Sequence, residues 1–235
     1  MANLSREASQ AIADRVSDVA AMLGMAVGEP GCGPNVMIIA TEEASALAAA
    51  LVERSPNAFR PYYAGAAGSR RRLELFVTTD RPVRWWHVSM PVTVATGAPA
   101  VRLPGEEEPR RIRGDGLLTA AVRNEFRRAF VIFDIDQVEG LTLRQLSDYI
   151  AMVAFAQIDP DADIGSFPSI LNVVANPDIA QEMTDWDRAY LDALYGTELN
   201  RRAPASQLGQ VANDMFRDRR DAAAAESSTP EDEPD

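Results

Sequence analysis

The passage Ala129–Asp163, AFVIFDIDQVEGLTLRQLSDYIAMVAFAQIDPDAD, constrains this chain most. AFVIFDID is a continuous apolar run of strand length and reads as a buried strand over Ala129–Asp136. After the short VEG turn, LTLRQLSDYIAMVAFAQ is too long for one strand and apolar along most of its length, so it reads as a helix sunk in a core. It ends in the acidic turn DPDAD. A chain of 235 residues, 46% of them apolar, can bury a core of that kind in one ordinary domain.

Several further elements lead into this passage. Ser5–Leu23 places Ala8, Ile12, Val16, Val19 and Leu23 on one helical face, with Ser5 as N-cap and Gly24 as the stop. NVMIIAT, Asn35–Thr41, is a buried strand, and an Ala-rich helix capped by Thr41 follows over Glu42–Glu53. The segment 55–69 is rich in Pro, Gly and Tyr and is expected to be irregular. LELFVTT (Leu73–Thr79) and VRWWHVSM (Val83–Met90) are expected to pair as strands around the Asp80–Pro82 turn, with VTVATGAPAVRL extending the sheet as a second hairpin.

GEEEPRRIRGDG, Gly105–Gly116, reads as a charged loop whose arginines pair locally with Glu106–Glu108. Leu117–Arg128 fits either a helix or a strand lead-in. Beyond the core helix, a loop over Asp159–Glu182 is followed by a helix over Thr184–Tyr195, whose Thr and acids suit a helix start. A last helix spans Ala205 to about Ala224. The tail ESSTPEDEPD is acidic, without apolar anchors, and is expected to be disordered. The organisation expected is an α-β-α unit over 1–54, a strand and loop region over 55–128, a second half over 129–223 and a tail over 224–235, with 1–223 forming one compact domain.

The charge balance is 23 − 35 = −12. Such a surface argues against nucleic acid and against anionic membranes, both of which attract basic proteins. Every basic residue other than the one histidine is arginine, so Schiff-base and P-loop lysine chemistry are unavailable. No stretch reaches the ~20 apolar residues of a membrane span. The N-terminus lacks the apolar region of a signal peptide, so the protein is expected to be cytoplasmic, or periplasmic or secreted if a leader has been removed. Cys32 is the single cysteine, in EPGCGPNV, so neither an intrachain disulfide nor a multi-cysteine metal site can form. GCGPNV precedes a strand, the wrong order for a Rossmann turn.

The core helix can be laid against H-E-x-x-H-x-x-G-x-x-H, in which two histidines on one helical face grip zinc and the glutamate activates its water. In the best register Ser147 and Asp148 take the His-Glu positions, Ala151 the second histidine, Ala154 the glycine and Gln157 the third histidine. Downstream, Ser169–Asn172 resembles a Met-turn. Thr184–Gly196, TDWDRAYLDALYG, resembles the closing helix of matrixin-like peptidases. Over about Phe130–Gly196 the chain is therefore similar to zincins with the zinc ligands lost. It also resembles a set of mostly exported bacterial proteins that share the wording LsDYiAmVAfAQiDPdAD…iLN…lTdWDraYLdaLY. That resemblance implies a zincin-like helix arrangement without a metal, since catalytic zinc needs three protein ligands.

Three other constellations bear on function. His87, the only histidine, sits in RWWHVSM, so no His₂ or His₃ site can be built, and a Cys32–His87 dyad lacks any local motif. Strand alternation places Trp85 and His87 on one face and Trp86 and Val88 on the other. The stretch Trp85–His87 is a candidate peptide groove, against the plainer reading of one core tryptophan and one half-exposed. Asp159, Asp161 and Asp163 alternate as in calcium loops, but Ile164 precedes Gly165 and position twelve is Ile170, where an EF-hand requires glutamate.

The expected fold is α+β: one domain with a mixed sheet and a zincin-like helix arrangement in its second half. The expected function is non-catalytic, as a peptidase-like module that binds an unidentified protein or peptide or fills a structural role, with no cofactor and no metal. The alternatives are an enzyme using Asp148, Asp159 or Asp163 with the cleft around Trp85–His87, and an intracellular partner-binding protein unrelated to zincins.

Overall fold

The computed structural model describes residues 4–29, 31–59, 67–100, 121–156, 158–196, 209–217 and 220. In chain order the elements are α1 (Arg6–Met22), β1 (Val36–Thr41), α2 (Ala44–Arg54), α3 (Ala67–Thr78), β2 (Val83–Thr93), β3 (Val122–Asp134), α4 (Leu143–Phe155) and α5 (Asp185–Gly196). Short 3₁₀ turns occur at Pro56–Ala58, Ile170–Asn172 and Pro177–Ile179, and residues 209–217 are helical.

The sheet is mixed, in the order β1-β3-β2. β3 is central: it runs parallel to β1, with Val36 opposite Ala129 and Thr41 opposite Asp134, and antiparallel to β2, with Val83 opposite Phe133 and His87 opposite Ala129. Because β3 is covered on both faces, it needs apolar residues at successive positions, which is why FVIF is continuous. Val131 and Phe133 enter one core, Phe130 and Ile132 the other. The first core holds α1 and α4 against the sheet, through Ile12, Val16 and Val19 on one side and Ile150 and Met152 on the other, with Leu191 of α5 joining. The second packs Ala44 and Ala48 of α2, Phe59, and Phe76 of α3 around Trp86. Phe59 stacks on Phe130 with ring centroids 4.7 Å apart.

The helix starts follow local chemistry. The Ser5 hydroxyl accepts the N–H of Ala8 at 3.1 Å, and α1 gives way to Gly24 at φ +73°, a left-handed conformation that glycine adopts at little cost. Thr142 and Gln145 form a reciprocal capping box on α4: the threonine hydroxyl accepts the Gln145 N–H at 3.1 Å, and the Gln145 side chain accepts the Thr142 N–H at 2.9 Å.

Two expectations need correction. Leu73–Thr79 is not a strand hairpin partner of β2: its residues through Thr78 end helix α3. The run has Leu73, Phe76 and Val77 at i, i+3 and i+4, and this helical spacing puts all three against the second core. α2 starts at Ala44, with Glu43 at the N-cap, while the Thr41 hydroxyl accepts the Glu43 N–H at 3.1 Å. The open choice at 117–128 resolves, from Val122 on, as strand. β2 runs on to Thr93 and turns back, with the Thr93 N–H donating to Ala98 at 2.8 Å and Val92 bridging Pro99. The charged loop 105–116, Gln157 and the tail 224–235 lie outside the described residues, as does half of the last expected helix.

Candidate functional site

The face of α4 that sequence comparison singles out is sealed inside the protein. Ser147, Asp148 and Ala151 are all buried, and Asp148 and Ala151 have no exposed surface. Ser147 turns back on its own helix, donating from Oγ to the Leu143 carbonyl at 2.6 Å. Asp148 accepts from three directions. Arg15 of α1 donates Nε to Oδ1 at 2.5 Å, Arg144 brings Nε to 3.3 Å from Oδ2 one turn earlier, and the Met183 N–H donates to Oδ2 at 2.8 Å. A buried carboxylate needs such partners, since an isolated charge would be expelled or neutralised. Arg144 continues outward to Glu182 at 2.6 Å, with Arg188 3.8 Å away on the other oxygen. The hydrogen bond from Arg144, reinforced by its charge, holds the Glu182 carboxyl below its usual range.

Two residues that sequence reasoning passed over organise the ground beneath α4. Asp187, fully buried in α5, accepts from the Ser169 hydroxyl at 2.5 Å, the Ile170 N–H at 2.8 Å, the Thr184 N–H at 3.0 Å and the Thr184 hydroxyl at 2.8 Å. It thereby holds the 3₁₀ turn Ile170–Asn172 and the start of α5 together, and that turn packs against α4. Gln145 reaches the other way, donating Nε2 to the carbonyls of Pro177 and Ala180 at 2.6 and 2.7 Å. The sequence signals for both were present: T-x-x-Q at 142–145 and T-x-x-D at 184–187 are helix-start patterns.

β2 lies over the C-terminal half of α4 and divides its aromatic residues as alternation predicts. Trp85 packs with the first core and donates Nε1 to the Ile158 carbonyl at 3.2 Å. His87 shares that face. Its Nε2 is buried with no well-aligned hydrogen-bond partner among the described residues, and its ring lies 4.9 Å from that of Phe126. Burial lowers the imidazole pKa, although the nearby carbonyls of Val153 and Ala154 pull the other way. Trp86 belongs to the opposite core, with its ring 6.0 Å from that of Phe76. The three residues therefore do not line one groove: Trp85 and His87 lie on the α4 side of β2 and Trp86 packs in the opposite core.

Arg84, also on β2, is 3% exposed. Its guanidinium donates to the carbonyls of Phe76, Val77 and Thr79 at 2.7, 3.2 and 2.9 Å and to Ser45 Oγ at 2.7 Å. It satisfies the orphan carbonyls at the end of α3, where the helix dipole also favours a cation. Burial lowers its pKa, opposed by Asp80 and Asp134.

The acidic turn after α4 is built from local hydrogen bonds. Asp159 Oδ1 accepts the Asp161 N–H at 3.1 Å, Asp163 Oδ1 accepts the Gly165 N–H at 3.2 Å, and Asp161 pairs with Arg81. Each carboxylate thus serves a different partner. Among the described residues no three His, Cys, Asp or Glu side chains are grouped to hold a metal ion. Cys32 is an exposed free thiol in the turn before β1.

A separate crevice of about 370 Å³ lies where β1 and β3 end, lined by Thr41, Glu42, Glu43 and Ile135. β1 leads into α2 against the second core and β3 leads into α4 against the first, so the chain leaves two adjacent parallel strands toward opposite faces. Asp134, next to the crevice, folds inward to accept the N–H groups of Asp136 and Gln137 at 3.2 and 3.3 Å.

No protein-family model, curated protein or solved structure matches this chain. Among the described residues no helix is long and apolar enough to cross a membrane.

Proposed function

We propose that this chain is a non-catalytic protein of zincin-like organisation that acts as a protein- or peptide-binding or structural module. The observation that carries the reading is the state of Asp148. The only ionisable side chain at a catalytic position of the H-E-x-x-H frame within the described residues is fully buried and held by two arginines and a backbone N–H. A general base needs reach to a water or substrate, and Asp148 has neither solvent nor room. Ser147 and Ala151 supply no zinc ligand beside it.

The order of elements supports the zincin-like part. A buried strand leads into α4, an antiparallel strand lies beside it over the same helix, and the turn Ile170–Asn172 sits under the helix with α5 closing behind. Asp148 takes the place of a catalytic glutamate and has become the anchor that ties α1 and the approach to α5 onto α4.

The test is metal analysis of protein purified from its native source, alongside hydrolysis of casein and of a peptide library. The reading expects less than stoichiometric zinc and no cleavage above buffer. Stoichiometric zinc, or cleavage abolished by Asp148→Asn in a variant that remains folded, overturns it. The resemblance further implies export, and cell fractionation with an antibody checks that part alone.

A further inference from the structure

We propose that His87 is an acid-sensitive latch, which closes the seam between β2 and the C-terminal half of α4 when its ring is neutral and opens it when the ring gains a proton. The device would regulate access to the Trp85 face and does not depend on the function proposed above.

Three features of the seam support the assignment. The His87 side chain is half-buried, its Nε2 is buried with no well-aligned hydrogen-bond partner among the described residues, and the residue opposite it on β3 is the small Ala129. Directly after His87 the ladder is interrupted: Val88 pairs with Arg128 but Ser89 pairs with Phe126, so Arg127 is an inserted residue. Bulges of this kind weaken pairing locally and re-aim side chains. Among the described residues the seam also carries a neutral hydrogen bond, from Trp85 to the Ile158 carbonyl.

Among the described residues no carboxylate faces the ring. From α4 the neighbours are the main-chain carbonyls of Val153 and Ala154, and from β3 the ring of Phe126. Arg127 and Arg128, the charged residues of β3 nearest in register, are exposed and carry the same sign as the protonated imidazole. Beyond the seam, Asp161 is engaged by Arg81. The two carbonyls favour an imidazolium but burial outweighs them, and leaving the seam lets the charged ring recover water. Protonation then frees the strand from the helix at its weakest point and uncovers Trp85.

The test uses the full chain and amide hydrogen exchange, corrected for the intrinsic pH dependence, at pH 7.5 and pH 5. Amides of 83–88 and 153–158 are expected to lose about tenfold in protection at the lower pH while those of α2 keep theirs, as a local opening requires. His87→Phe, which fills the space without a titrating group, is expected to abolish the difference. Equal protection at both pH values in the wild type overturns the proposal, as does the same acid loss in His87→Phe. Should that variant fail to fold, the single imidazole resonance of the wild-type protein decides by NMR. A titration midpoint at or above that of free histidine overturns the latch, and a midpoint below it, moving together with the indole signal of Trp85, upholds it.

Discussion

Arg15 Nε lies 2.5 Å from Asp148 Oδ1, joining residues 133 positions apart in the chain and locking α1 onto α4 inside the larger core. The carboxylate has no exposed surface and the arginine side chain is 18% exposed, so solvent does little to soften the loss of either partner.

Replacing Asp148 by Ala strands the Arg15 guanidinium and the Met183 N–H. Breaking a buried pair from one side costs about 3–5 kcal/mol. Urea denaturation of Asp148→Ala is expected to show a loss of that order, with Arg15→Met losing less because Arg144 and the backbone still hold the carboxylate. A loss under about 1 kcal/mol in Asp148→Ala contradicts the structural role.

Asp187 serves four donors from two segments, and Asp187→Ala leaves the Ile170 N–H and the Ser169 hydroxyl buried with no acceptor. An unsatisfied buried group costs about 1–3 kcal/mol, so a total of roughly 3 kcal/mol is expected. Limited proteolysis should then cut first within 164–184, the segment this carboxylate ties down.

Arg84→Met removes the cap from the end of α3 while keeping the apolar stem. Three carbonyls lose their donor, and the expected loss is about 2–3 kcal/mol in chemical denaturation. Arg84→Lys should recover only part of it, since an ammonium cannot span carbonyls and Ser45 together as the planar fork does.

Stability should also fall in acid through His87. Burial lowers its pKa in the folded chain, so the unfolded chain takes up the proton first as pH falls. The contribution is complete above the ordinary histidine value of about 6.5 and is lost on passing down through the lowered native value. Comparing the pH dependence of urea midpoints for the wild type and His87→Phe isolates this contribution from that of the carboxylates.

Much of the fold is legible in local patterns. Ile12, Val16 and Val19 mark α1, the unbroken FVIF marks a strand covered on both faces, and the Thr184 start marks α5, because each signal lies within a few residues of the structure it causes. Leu73–Thr79 misleads because a short apolar run satisfies both periods, and the contacts that decide it, with Trp86 and Phe59, come from elsewhere in the chain. The same limit applies to the site. That Asp148 stands at a catalytic position is visible in one helix turn, but its exclusion from solvent depends on Arg15 and Met183, which no local spacing connects to it.

The long reach from Arg15 to Asp148 has a consequence for the order in which the molecule is made. α1 leaves the ribosome before α4, and the helix that covers Ile12, Val16 and Val19 is synthesised more than a hundred residues later. At about 5–20 residues per second that wait lasts many seconds. Throughout it α1 carries an apolar stripe whose partner helix does not yet exist.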